Sequence, residues 1–209
     1  MRARKLTILF ISILAGIVFV TNVLAVDVKP YVKIGGMELI EKGISEGHKS
    51  FGLLGINVIR ELGKAELTGT LEGFVMTEAV DEDPELLHNG FRTGIEYKYS
   101  FNVLNPYAGV YFENWNRDSN SKYPDSFTRM DFAEATFGFT AKKKYVYARV
   151  GGIYPFWADV GDYNPHGKLG FEASIGFEFR NFNIGYSYKR ISFTDLEFNF
   201  SCAEIGYRF

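Results

Sequence analysis

The chain has 209 residues, with 23 Lys and Arg against 25 Asp and Glu, a formal charge of −2, 17 % aromatic residues and a single cysteine. One cysteine excludes an intramolecular disulfide and a Cys-rich metal site, and the absence of a cationic surplus argues against nucleic acid as a partner. Beyond residue 25 no run approaches the roughly 20 apolar residues of a membrane helix, so any membrane-spanning part has to be strand.

Met1–Ala25 opens on Arg2, Arg4 and Lys5, runs apolar from Leu6 to Val20 and closes on Val23-Leu24-Ala25. That order reads as a cleavable secretory signal peptide, residues 1–25, with cleavage expected after Ala25. The competing reading is an uncleaved anchor, because the apolar core is nearly long enough to cross a tilted bilayer. Removing three basic and no acidic residues leaves 20 Lys and Arg against 25 Asp and Glu in one domain, residues 26–209.

Period-two alternation then recurs in segments of about ten residues, the pattern of a transmembrane strand. Strands are predicted over 28–37, 50–61, 65–77, 90–101, 106–115, 130–141, 145–156, 168–180, 182–191 and 196–209. The clearest is the eighth, where Phe171, Ala173, Ile175, Phe177 and Phe179 alternate with Glu172, Ser174, Gly176, Glu178 and Arg180. Connections at 62–64, 102–105, 142–144 and 181 are tight; those at 38–49, 78–89, 116–129 and 157–167 are long, and 192–195 is a short outer one. In a meander this puts the long loops on one rim and the short turns, with both termini, on the other. The predicted fold is all-β: an antiparallel up-and-down transmembrane β-barrel of about ten strands, or eight if the glycine-rich first pair stays out of the wall.

One parity of these strands is apolar and suits lipid, including Leu54, Val58, Leu71, Val110, Phe137, Val150 and Ile184. Aromatics near strand ends, among them Phe91, Tyr99, Phe101, Trp115, Tyr145, Phe156, Trp157 and Tyr188, suit interfacial girdles. The opposite parity carries charges of both signs: Lys33, Glu72, Arg92, Glu96, Lys98, Glu113, Glu134, Arg149, Glu172, Glu178, Arg180 and Lys189. Inside a narrow barrel these are expected to interlock as a lumen charge network that leaves little open pore.

At the C-terminus Ala203, Ile205, Tyr207 and Phe209 alternate with Cys202, Glu204, Gly206 and Arg208. This resembles the closing strand of bacterial outer-membrane β-barrel proteins, and with the signal peptide the resemblance points to the small OmpA/OmpX-like barrels. It implies location in the outer membrane of a Gram-negative bacterium, contact with outer-membrane lipids and lipopolysaccharide, and recognition of those four residues by the barrel assembly machinery. Phe198 and Phe200 fall on the parity opposite Tyr207 and Phe209, and a β-bulge near Ser201 would return them to lipid.

A search for chemistry is less productive. His48, His88 and His166 are all predicted in long loops, but none has a Ser or Asp partner at catalytic spacing or another His at metal-ligand spacing. Asp81-Glu82-Asp83 and the pair Asp159 and Asp162 read as hydrated loop acids, and no phosphate-binding or dinucleotide motif is present, so neither metal nor cofactor is expected. Lys122, Arg129 and Lys168 are placed to meet lipopolysaccharide phosphates. The reading is a non-enzymatic outer-membrane barrel with a structural, adhesion or surface-recognition role through its external loops, with a narrow pore as an added possibility. The alternatives are a barrel-borne hydrolase or lipid A-modifying enzyme, and a soluble periplasmic lipocalin-like barrel with its apolar face turned inward.

Overall fold

The computed structural model describes residues 26–78, 87–117, 129–160 and 164–209; the signal-peptide reading of residues 1–25 lies outside them. Among the described residues there are ten strands and no helix: β1 Asp27–Glu41, β2 Ile44–Leu62, β3 Ala65–Glu78, β4 Leu87–Tyr99, β5 Leu104–Arg117, β6 Arg129–Lys143, β7 Val146–Asp159, β8 Gly167–Phe179, β9 Phe182–Phe193 and β10 Leu196–Tyr207. Each pairs antiparallel with its neighbours in sequence. β10 closes on β1 in an unbroken register from Tyr31↔Gly206 to Glu41↔Leu196. The glycine-rich pair β1–β2 is therefore part of the wall, which makes the barrel ten-stranded rather than eight-stranded. Closure gives every strand two partners, the condition for crossing hydrocarbon without stranded peptide groups.

The connection predicted as a long loop over 38–49 is instead a two-residue turn, Lys42-Gly43, between strands that run on to Glu41 and from Ile44. Both turn residues have positive φ, 47° and 81°, the type I′ geometry whose twist matches the flanking strands. Polar residues suggest a loop only if strands end where the lipid ends, and here the strands continue beyond that level. Accordingly β1 and β2 have 15 and 19 residues, against the about 9–11 that a tilted strand needs to cross a bilayer.

Across the membrane half of the wall the outward parity is apolar. Ile34, Leu71, Ile95, Val150, Ile175, Ile184 and Ile205 all expose more than half of their surface. This is opposite to a lipocalin-like arrangement. In β7 the pairs Ala133↔Trp157 and Glu134↔Pro155 leave one extra residue, a bulge that turns both Phe156 and Trp157 outward.

Nearer the rim that carries the longer connections, the two faces exchange character. Met37, Leu39, Phe51, Phe74, Met76, Trp115, Met130, Phe132, Ile191, Phe193, Phe198 and Phe200 pack into one buried cluster inside the barrel. Outside, Glu38, Asn114, Asp131, Arg190, Glu197 and Asn199 replace the apolar belt. Tyr188 donates to Asn199 at 3.0 Å, Asn199 to Glu38 at 3.4 Å, and Arg190 pairs with Glu197. Two expectations are corrected. Trp115, predicted in a girdle, is 2 % exposed and lies inside. Phe198 and Phe200 also point inward, because β10 has no bulge: its registers with β1 and β9 are continuous through Ser201. Above the lipid boundary water wets the outer face, so the apolar parity is free to turn inward.

Candidate functional site

The lumen on the short-turn side is built from the inward parity of all ten strands, and its charges meet at two nodes. At the first, Arg92 on β4 contacts carboxylates on three strands: Glu72 on β3 at 3.2 Å, Glu113 on β5 at 3.0 Å and Glu134 on β6 at 3.1 Å. The Glu113 contact, through Nε, is an ion pair that lacks hydrogen-bond alignment. Lys189 on β9 joins the same acids, 2.6 Å from Glu113 and 2.8 Å from Glu134. Lys33 pairs with Glu72 at 3.2 Å and with Glu204 at 3.7 Å. Trp115, from the apolar cluster above, donates its indole N–H to Glu113 at 3.1 Å and so ties the two zones together.

At the second node Arg149 on β7 grips Glu96 through two parallel bonds of 2.8 and 2.7 Å and reaches Glu172 at 2.7 Å. The bidentate fork suits a planar guanidinium against a carboxylate. Tyr107 donates to Glu172 at 2.7 Å and Tyr111 to Glu96 at 3.0 Å. Each arginine also lies 3.6 Å from a tyrosine ring centroid, Arg92 over Tyr111 and Arg149 over Tyr107, adding a cation–π contact. These flat stacks need bare backbone behind them. Gly94 adjoins the Tyr111 ring and Gly151 the Tyr107 hydroxyl, each at a spot where a Cβ would collide with the ring or its oxygen.

Each acid at the nodes has at least one cation within ion-pair distance, although Glu134 Oε2 is buried without a hydrogen-bond partner of its own. Burying a charge costs several kcal/mol unless paired and hydrogen-bonded. Closer to the short turns, Lys98 meets Glu66 and Lys142 meets Glu178, both at 2.5 Å, and Lys29 meets Glu204 at 3.4 Å. A cavity of about 340 Å³ lies among Lys29, Lys33, Glu66, Lys98, Arg149, Glu178 and Glu204.

Of the residues predicted for the lumen, Lys33, Glu72, Arg92, Glu96, Lys98, Glu113, Glu134, Arg149, Glu172, Glu178 and Lys189 are brought into these contacts. Arg180 is not. It occupies the β8–β9 turn with φ 52°, is exposed, and lies over the Phe179 ring at 5.4 Å, because the chain reverses before its parity reaches the lumen. Lys29, Glu66, Lys142 and Glu204 were missed. Glu204 had a legible signal, since it alternates with Ala203 and Ile205 on the parity opposite lipid. Those two and Phe209 are exposed on the outer wall, and Tyr207 packs edge-on against Phe182 and Phe209, 4.8 Å from each.

Above the ionic layer the aromatic cluster fills the bore. Phe74 and Trp115 are 4.9 Å apart between centroids, Trp115 and Phe198 5.0 Å, and Phe132 and Phe193 5.5 Å. Side chains from eight strands contribute to it.

The outer rim holds the remaining sequence candidates. His48 and His88 lie in β2 and β4, not in loops, and His166 precedes β8, with β5, β6 and β7 intervening between it and His88. Strand order therefore does not bring the three together. Arg129 is exposed and pairs with Asp131 at 2.7 Å, while Lys168 donates to the Thr194 carbonyl at 3.1 Å. Asp159 is exposed at the end of β7. Asp81, Glu82, Asp83, Lys122 and Asp162 lie outside the described residues.

No protein-family model and no curated protein matches the sequence. Solved structures similar to it include Ail, the attachment invasion locus protein of Yersinia pestis, at 12 % identity over 88 % of this chain and 98 % of that one, with a TM-score of 0.42. The translocator domain of the autotransporter NalP from Neisseria meningitidis is 13 % identical over 88 % of both chains, TM-score 0.49. The outer membrane protease OmpT from Escherichia coli is 8 % identical over 88 % of this chain and 97 % of that one, TM-score 0.47. At these identities the likeness concerns fold alone. The architecture, read from its own closed ladder and apolar belt, is that of a small outer-membrane β-barrel.

Proposed function

We propose that this protein is a non-enzymatic outer-membrane barrel that does not conduct, and that it acts through what its outer rim presents to lipopolysaccharide and to the cell exterior. The observation that carries this reading is the stacking of an apolar plug on an ionic layer inside one bore. A solute would have to break the Arg92 and Lys189 contacts and then cross a level packed with buried apolar side chains, among which Lys49 is also buried. Both steps strand buried charge or polar solute without partners, which is costly. What remains for function is the rim, where strands extend past lipid and the longer connections emerge.

Purified protein reconstituted in planar bilayers is expected to show no unitary current at neutral pH. A steady, reproducible conductance would overturn the closed-lumen reading. Lipid A and phospholipid composition in cells with and without the protein tests the non-enzymatic part. An altered acyl or phosphate pattern that disappears on substituting His48, His88 or His166 would favour an outer-rim enzyme instead.

A further inference from the structure

One seam of the barrel is incomplete. The β7–β8 register runs from Val146↔Phe177 to Ile153↔Gly170 and stops. Yet β7 stays paired with β6 as far as Asp131↔Asp159, and β8 with β9 as far as Gly167↔Phe193. Over Tyr154–Asp159 and Gly167–Leu169 the two strands therefore face each other with no ladder pair. The local sequence explains this. Pro155 has no N–H to donate, β7 bulges at Phe156, and β8 shifts register between Lys168 and Phe171. The strands still touch, because the Pro155 carbonyl oxygen occupies the place where a Cβ on Gly167 would stand.

The seam lies where hydrocarbon gives way to headgroups. Tyr154, Phe156, Trp157 and Phe171 face outward around it, and Leu169, at 67 % exposure, is the most exposed large apolar residue among those described. Next to Leu169 comes Lys168. Its ammonium contacts the Thr194 carbonyl and has no carboxylate within ion-pair distance among the described residues, unlike the lumen lysines. Peptide groups of this stretch lie outside the β7–β8 ladder, and at this depth headgroups can offer them hydrogen bonds that lipid chains cannot.

We propose that the outer end of the β7–β8 seam docks one outer-leaflet lipid carrying a phosphate headgroup, with the phosphate on Lys168 and the chains over Leu169, Phe156 and Trp157. This rests on the membrane-spanning reading given above. Charge complementarity between the Lys168 ammonium and a phosphate selects the headgroup.

The chain has two tryptophans, Trp115 inside the plug and Trp157 at the seam, which supplies the assay. The full barrel is reconstituted in phosphatidylcholine vesicles containing a minor fraction of phosphatidic acid, with bromine on the chains of either one lipid or the other at equal mole fraction. Brominated phosphatidic acid is expected to quench fluorescence several-fold more than brominated phosphatidylcholine. That preference should vanish in Trp157→Phe, which removes the reporter, and in Lys168→Gln, which removes the charge. Equal quenching by both lipids, or a preference that survives Lys168→Gln, would overturn the site while leaving the barrel in its membrane. Absence of quenching of Trp157 by either lipid would overturn the membrane reading and the site with it.

Discussion

Arg92 on β4 and Glu134 on β6 meet at 3.1 Å across an intervening strand, and Glu134 is entirely buried. Their contact marks the level at which the ionic half of the lumen ends and the apolar half begins. Arg92 also serves Glu72 and Glu113, so its removal leaves three buried acids sharing Lys33 and Lys189. Arg92→Ala is expected to destabilise the barrel by about 3–5 kcal/mol, the usual consequence of breaking a buried pair from one side. Urea unfolding in vesicles measures it, and a change below about 1 kcal/mol would show that the acids find other compensation.

Gly151 and Tyr107 form a second test. A methyl group on Gly151 collides with the Tyr107 hydroxyl, which bonds Glu172. Gly151→Ala is expected to cost about 1–3 kcal/mol through overpacking. Tyr107→Phe in the same chain, lacking that hydroxyl, should recover part of the loss. Non-additive stabilities in this double-mutant cycle are the expected result; simple additivity would mean that the tyrosine moves away without consequence.

The sidedness of the wall can be probed at one pair of neighbours. Ile175 is 58 % exposed on the outer face of β8, whereas Ser174 points inward. Ile175→Arg should lower stability by about 2–4 kcal/mol, the penalty for a cation facing mid-bilayer lipid. Ser174→Arg tests the other face, where acids are at hand, and is expected to cost less. The reverse order would place lipid on the other side of the wall.

The plug makes a prediction about transport. The Trp115 and Phe198 rings pack in a tilted arrangement, 5.0 Å between centroids, in the apolar half. Truncating both to Ala removes two of the rings that meet at the middle of the cluster and should produce discrete openings in planar bilayers. The recordings use protein that still shows heat-dependent migration on a denaturing gel. Silence in that folded double variant would put the block in the ionic layer alone.

The lumen acids and bases were legible because alternation along a strand assigns each residue to a face, and charges opposite apolar neighbours have to turn away from lipid. Glu72, Arg92, Glu96 and Glu172 follow that rule. Arg180 fails it because the turn begins one residue earlier than the alternation suggests. Trp115, Phe198 and Phe200 misled for a different reason. The inward parity of all three is plain in the alternation, but Trp115 near a strand end suggests a membrane girdle, and Phe198 and Phe200 suggest a bulge near Ser201 that the continuous registers of β10 exclude.

The sequence by itself determined the strand class, the meander order and the alternation of faces along most strands, since a two-residue repeat and turn residues are local properties; that the first pair joins the wall and where the bulges fall was decided by pairing between strands. Only the tertiary structure decided that the wall reverses its polarity above the lipid and that the bore is filled there. A strand's inner face is set by which residues from the other strands close over it, and its outer face by whether water or hydrocarbon lies beside that height of the barrel. Neither is encoded in the spacing along a single strand.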